Sequence, residues 1–192
     1  MDAANTSHAF RPTYWRVPFE LPGDAAPRSF ADPPTVSWRK ADDETDLVGL
    51  FARVLHDSVD PRDVEAVRKN GGRAVAVRMI EDALSGGVYR CVREWWSIVA
   101  VDGEVAGVVL PVVFTGCTRD GLDEATIYHI GVVAEQRRRG LGNLLLGRAT
   151  DTLLAHGVWR ISCDTAVENE VMIRLFERHG WRRGPGTEVA SR

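Results

Sequence analysis

The densest positive charge in this 192-residue chain is the run Arg137, Arg138, Arg139, followed directly by Gly140-Leu141-Gly142-Asn143. A β-type stretch ends just before it at Val132-Val133, and a helix-type pattern begins at Leu141. A helix N-terminus presents backbone N–H groups without intrahelical partners and a partial positive charge, which together make an anion site. Gly140 and Gly142 remove side chains where a ligand would approach the backbone. The guanidinium forks match phosphate oxygens. Residue types and spacing therefore point to phosphate or pyrophosphate. The competing reading is a solvated basic loop ahead of a glycine-softened helix start.

Such a loop needs a strand before it and a helix behind it. The strand is expected over Ala125 to Val133, and the helix from about Leu141 to Ala155, with Gly142, Leu145, Leu146, Ala149 and Leu153 facing the core and Gly157 as its cap. Val158 to Thr165 reads as a further strand. Asn169 to His179 reads as a helix buried through Met172, Leu175, Phe176 and His179.

Upstream, Thr35 to Lys40 is β-rich. Leu47, Leu50, Phe51, Val54 and Leu55 form a helical stripe, and Asp60-Pro61 opens a second helix. After Asn70-Gly71-Gly72 a further helical stretch carries Val75, Met79, Ile80, Ala83 and Leu84. Trp96 to Val101 and Val105 to Phe114 form a hairpin across Asp102-Gly103, with an edge or bulge expected at Pro111 and a loop over Thr115 to Glu124. The order β-αα-ββ-β-α-β-α defines an α+β layer fold with a mixed sheet. Residues 1–34, crowded with prolines, are expected to be an irregular N-terminal arm. Residues 35–192 are expected to form the domain.

Composition narrows the function. With 44% hydrophobic and 27% charged residues and a formal net charge of −3, the chain carries no bulk attraction for nucleic acid or anionic lipid. Cys91, Cys117 and Cys163 are widely spaced and form no Cys-x-x-Cys pair, which fits a reducing compartment and no structural metal. The longest apolar run, Gly107 to Phe114, is too short to span a bilayer. A cytoplasmic protein without membrane or nucleic-acid partners is the expectation.

Two blocks then coincide with a known family. Val132-x-x-x-x-Arg137-x-x-Gly140-x-Gly142 resembles the acyl-coenzyme A pyrophosphate loop of the GNAT acyltransferases. Asn169-x-x-Met172-x-x-Leu175-Phe176-x-x-x-Gly180-Trp181 is similar to the family's helix at the expected distance downstream. The resemblance covers about Thr35 to Trp181. It implies a GNAT-like three-layer fold, a central mixed and mostly antiparallel sheet flanked by helices. It further implies an N-acyltransferase moving an acetyl or other acyl group from coenzyme A to a primary amine of a small molecule by direct attack, with no metal.

By the same resemblance, Arg137, Arg138, Arg139, Gly140, Leu141, Gly142 and Asn143 hold the pyrophosphate, mainly through backbone N–H groups. Ile130, Val132 and Val133 lie along the pantetheine, where the family's strand bulges and splays. Asn169 and Phe176 complete the cofactor-binding set. Phe176 stands where the family often has a tyrosine acting as general acid, and it has no hydroxyl to donate. For the proton taken from the acceptor the candidates are Tyr128, His129 and Glu124, with Asp164 a further carboxylate at a strand end. Strict alternation places Tyr128 on the face of Ile130 and Val132, and His129 on the other.

Rival readings are a catalytically silent acyl-CoA-binding or interaction module, and an acyltransferase fed by a carrier protein or aminoacyl-tRNA. A dinucleotide fold is opposed by Leu145 in the place of a third glycine. The sheet is open to completion by the N-terminal arm or by a second subunit, which would make a homodimer.

Overall fold

The computed structural model of the chain describes residues 13–27, 30–41 and 44–190. Among these, β1 (Thr13–Pro22) and β2 (Val36–Lys40) precede three helices, α1 (Glu44–His56), α2 (Pro61–Asn70) and α3 (Gly72–Leu84). Then follow β3 (Tyr89–Arg90), β4 (Ser97–Val101), β5 (Glu104–Arg119), β6 (Leu122–Val132), α4 (Leu141–His156), β7 (Arg160–Ala166), α5 (Glu170–Arg178), β8 (Arg182–Arg183) and β9 (Thr187–Ala190). The strands form one sheet in the order β2-β4-β5-β6-β7-β1-β8, with β3 attached to β5 and β9 to β1. Among the described residues only β6 and β7 pair in parallel.

Helices cover both faces, giving three layers. On one face α4 and α5 bury Leu145, Leu146, Leu153, Ile173 and Phe176 against Val109, Ile127 and Ile161. On the other, α1 and α3 bury Leu47, Phe51, Val54, Leu55 and Ile80 against Ile98, Val108 and Leu110. The expected stripes thus become the two cores, and burying each side chain of this size contributes about 1.5–3 kcal/mol. The fold is α+β with a mixed sheet, as the element order implied.

Local chemistry sets the boundaries. Asp60 caps α2 by accepting the Arg62 N–H at 3.0 Å, with Pro61 in the first turn. Asp102 and Gly103 have φ of 51° and 84°, the left-handed pair that a two-residue hairpin requires.

Two expectations are corrected. Residues 13–22, read as part of an irregular arm, form β1, seated between β7 and the β8–β9 edge. The Trp15 carbonyl and the Gly23 N–H bond to the β7 side, so even-numbered residues turn their backbones the other way. Pro18 and Pro22 are both even, and neither removes a donor from the β1–β7 ladder. The Pro18 carbonyl accepts the Gly184 N–H at 2.9 Å, in the gap between β8 and β9. Proline count implied an irregular path; proline parity permits a strand.

The second correction concerns 115–124, read as a loop. β5 and β6 continue into a second hairpin across Asp120-Gly121, whose φ values are 53° and 80°. It carries the same Asp-Gly signal as the first hairpin.

Candidate active site

The functional groove begins where two parallel strands stop pairing. β6 and β7 are in register only at Glu124↔Arg160 and Ala125↔Ile161. Two residues further, the Ile127 N–H donates to Cys163 Sγ at 3.4 Å, and Thr126 Oγ1 lies 3.6 Å from the same sulfur. The strands then splay. Val133 donates its N–H to Ala106 on the β5 side at 2.9 Å, so the backbones of Ile130 and Val132, of opposite parity, face the open side. An extended ligand can add there as a strand would.

A bulge in β6 sets which side chains reach the groove. The register steps from Leu110↔His129 to Pro111↔Ile127, leaving Tyr128 as the extra residue opposite Pro111. Ile127, Ile130 and Val132 pack with α4 and α5, whereas Tyr128 packs with the α1–α3 layer and edge-on to Tyr89, 5.2 Å between centroids. His129 packs on Phe51 of α1 at 4.9 Å. Strict alternation, which put Tyr128 with Ile130, is therefore overturned: the bulge turns the consecutive Tyr128 and His129 toward the same helical layer.

The groove, about 550 Å³, runs from the start of α4 to the start of α2. At the α4 end it is lined by Ile130, Val132, Arg137, Arg138, Gly140, Leu141, Gly142, Asn143, Asn169 and Phe176. Gly140 precedes α4 with φ 81° and ψ −1°, and no side chain caps the helix. Its first N–H groups are left for a ligand. A Cβ on Gly142 would stand 3.5 Å from Leu175 Cδ2, so the fold itself tolerates a side chain there.

The arginines divide their work. Arg137 braces the loop, donating Nε to the Val132 carbonyl at 3.0 Å and Nη1 to the Asp57 carbonyl at 2.9 Å. Arg139 donates to Gln136 Oε1 at 2.5 Å and does not line the groove, while Arg138, with φ 63°, does. Val133 is fully buried in the α1–α3 core and also lies off the groove. Asn169 caps α5, accepting the Met172 N–H at 3.2 Å. Phe176 is 2% exposed and stacks on Phe19 at 4.8 Å, with Trp181 at 4.8 Å on its own side.

The other end is acidic. Arg16 of β1 donates Nε to Asp164 Oδ1 at 2.6 Å and also ion-pairs with Asp60. Asp63, in the first turn of α2, accepts the Ser58 hydroxyl at 2.7 Å. Burial raises its pKa, opposed by the charge of His129 when protonated and by the Ser58 hydrogen bond. Burial lowers the pKa of His129, with Asp63 and then Asp60 pulling it back up. Burial likewise pushes the Tyr128 hydroxyl well above its ordinary value, so it stays protonated.

Tyr128, His129 and Asp164 are thus brought to one groove. Glu124 is not: it sits where β6 and β7 pair and accepts from Arg160 at 2.8 Å and Ser162 at 2.7 Å, a structural position. Arg16 and Asp63 escaped the sequence reading. Asp63 lies three residues after a recognised cap, which was a usable signal, whereas Arg16 stood in the stretch read as irregular. Among the described residues no cluster of three or more His, Cys, Asp or Glu is arranged to hold a metal ion. No helix among them is long and apolar enough to cross a membrane.

The model of the acetyltransferase (GNAT) family matches residues 65–181, and the chain belongs to that family. Among solved structures it is similar to a GCN5-related N-acetyltransferase from Sphaerobacter thermophilus, with TM-score 0.60 and 17% identity over 95% of this chain and 53% of that one. A tandem GNAT protein from the clavulanic acid biosynthesis pathway gives TM-score 0.62 and 18% identity over 94% and 55%. Glucosamine-6-phosphate N-acetyltransferase from Arabidopsis thaliana gives 0.52 and 18% over 79% and 94%. At these identities the likeness is one of fold, and the chain spans about half the length of the first two.

Proposed function

We propose that this chain is an N-acyltransferase that moves an acetyl group, or another acyl group, from coenzyme A to a primary amine of a small molecule. The observation that carries the reading is the splay of β6 from β7 beside the uncapped N-terminus of α4. The residues present fit acyl-coenzyme A. The α4 N–H groups and Arg138 suit a pyrophosphate, and the open backbone of Ile130 and the N–H of Val132, whose carbonyl is taken by Arg137, suit pantetheine amides. Acyl-coenzyme A supplies the activated carbonyl and a thiol leaving group. Gly140 and Gly142 let the phosphates approach the backbone, Arg137 fixes the loop that carries them, and Ile127, Leu141, Leu175 and Phe176 supply apolar groove wall. The protonated Tyr128 hydroxyl is a donor at the groove wall and leaves the basic role to its neighbour. Three unpaired cysteines fit a reducing, cytoplasmic setting.

The test is a panel of primary amines incubated with acetyl-coenzyme A while free thiol release is followed. Amine-dependent release is the expected result. Tight coenzyme A binding with no release beyond buffer hydrolysis for any amine would leave a silent acyl-CoA-binding module instead.

A further inference from the structure

The α2 end of the groove carries charged groups that coenzyme A binding does not use. Two of its carboxylates are committed: Asp60 and Asp164 are both held by Arg16, and Asp60 also caps α2. The Asp57 carboxylate lies beside His56 at 3.3 Å. Among the described residues Asp63 is in no ion pair and accepts only a neutral hydroxyl, that of Ser58, although the Arg16 charge still reaches it. Facing this end is His129, whose Nε2 is buried without a hydrogen-bond partner among the described residues. A buried ring nitrogen without a partner is costly unless something completes it. Of the other charges, Asp60, already paired with Arg16, also reaches the imidazole and raises its pKa, and the remaining surfaces are uncharged. α1 contributes Phe51, α3 contributes Met79, and β6 contributes the protonated Tyr128.

We propose that Asp63 and His129 form the seat for the acceptor, a primary amine on an apolar body, with Asp63 holding its ammonium and His129 taking its proton. The inference rests on the acyltransferase reading and assigns its acceptor site. Val59, which is 56% exposed, and Met79 line the same end and supply the apolar wall. An ammonium nitrogen reaching this seat gives one proton to the His129 imidazole. Its freed electron pair forms the bond to the acyl carbonyl carbon as the carbon–sulfur bond breaks. Sulfur keeps that pair and receives a second proton from the nitrogen, leaving amide, thiol and imidazolium. Asp63 then faces the imidazolium it has helped to form.

Burial holds the imidazole neutral near pH 7, ready to accept. Asp63 acts in the opposite direction, so removing its charge moves the His129 titration to lower pH. The experiment follows imidazole resonances by NMR across pH in wild type, Asp63→Asn and His129→Gln, the last identifying the His129 signal among five histidines. Phenethylamine is then titrated as probe, with phenethyl alcohol as its neutral counterpart. The expected result is a His129 midpoint at least about half a unit lower in Asp63→Asn. Phenethylamine should perturb the His129 signal in wild type and bind at least about tenfold more weakly to the variant, and the alcohol should not perturb it. Identical His129 midpoints, or a His129 signal indifferent to phenethylamine in wild type, would overturn the proposal. The wild-type arm needs no variant to fold. Calorimetry with coenzyme A separates the two readings, because loss of the amine seat leaves coenzyme A affinity intact.

Discussion

The Ile127 N–H donates to the Cys163 sulfur at 3.4 Å, at the point where β6 and β7 cease to pair. A continued parallel ladder would require a β7 carbonyl there, so the thiol satisfies the backbone group that the splay leaves over. Cys163 reads as the wedge of the groove rather than as its nucleophile. Burial pushes its pKa up to about 12, with the Ile127 and Thr126 contacts only partly opposing.

At pH 8 that leaves roughly one thiol in 10⁴ as thiolate. Ellman's reagent on native protein should therefore modify the exposed Cys117 at once and leave Cys163 intact until urea unfolds the chain. Cys163→Ala should lower stability by about 1–2 kcal/mol in urea titrations, the loss of one buried partner and a small cavity. Modification of Cys163 at the rate of Cys117 would contradict this account of the wedge.

Arg16 ties β1 to both β7 and α2 through a side chain only 10% exposed. Arg16→Met should cost about 2–3 kcal/mol, below the range for a fully buried pair because the Asp164 side chain is 49% exposed. Adding Asp60→Asn, which keeps the α2 cap, should recover part of the loss. Equal unfolding midpoints for wild type and Arg16→Met would mean that the triad holds nothing together.

How much of this was legible depends on whether a feature was local. α4, β7 and α5 were read within a residue or two, because their stripes are periodic and Gly140, Gly157 and Asn169 mark their ends. Pro111 was read as an edge or bulge, and the register does shift there. The same bulge was not carried into the face count of β6, and Tyr128 was misplaced for that reason. β1 depends on pairing across about 150 residues of chain, from Pro18 to Asp164, and no local pattern in a proline-rich stretch encodes that. Its Arg16 was invisible for the same reason, and with it the pairing that gathers Asp60 and Asp164 at one end of the groove.

Phe176 lies in a stack between Phe19 and Trp181, and a tyrosine there would bring a hydroxyl toward apolar surroundings. Phe176→Tyr should lower stability by about 1 kcal/mol or more while changing the maximal rate by less than about tenfold. The leaving thiol has a free pKa of roughly 8.5, so near pH 7.5 expelling it as thiolate costs only about 1.4 kcal/mol more than expelling it protonated. The measurement is steady-state transfer to the best amine of the panel. A silent wild type beside an active Phe176→Tyr variant would refute the claim that an acid at this position is dispensable.

The central claim is that acyl-coenzyme A binds by its pyrophosphate at the mouth of α4. Isothermal calorimetry of coenzyme A with wild type and with Gly142→Asp tests it most directly. A Cβ at this position meets only ordinary contact with Leu175, so the variant should fold with an unchanged circular dichroism spectrum. Its carboxylate would stand against the phosphates, and affinity should fall at least about 100-fold. Coenzyme A binding as tightly to the folded Gly142→Asp protein as to wild type would contradict the account.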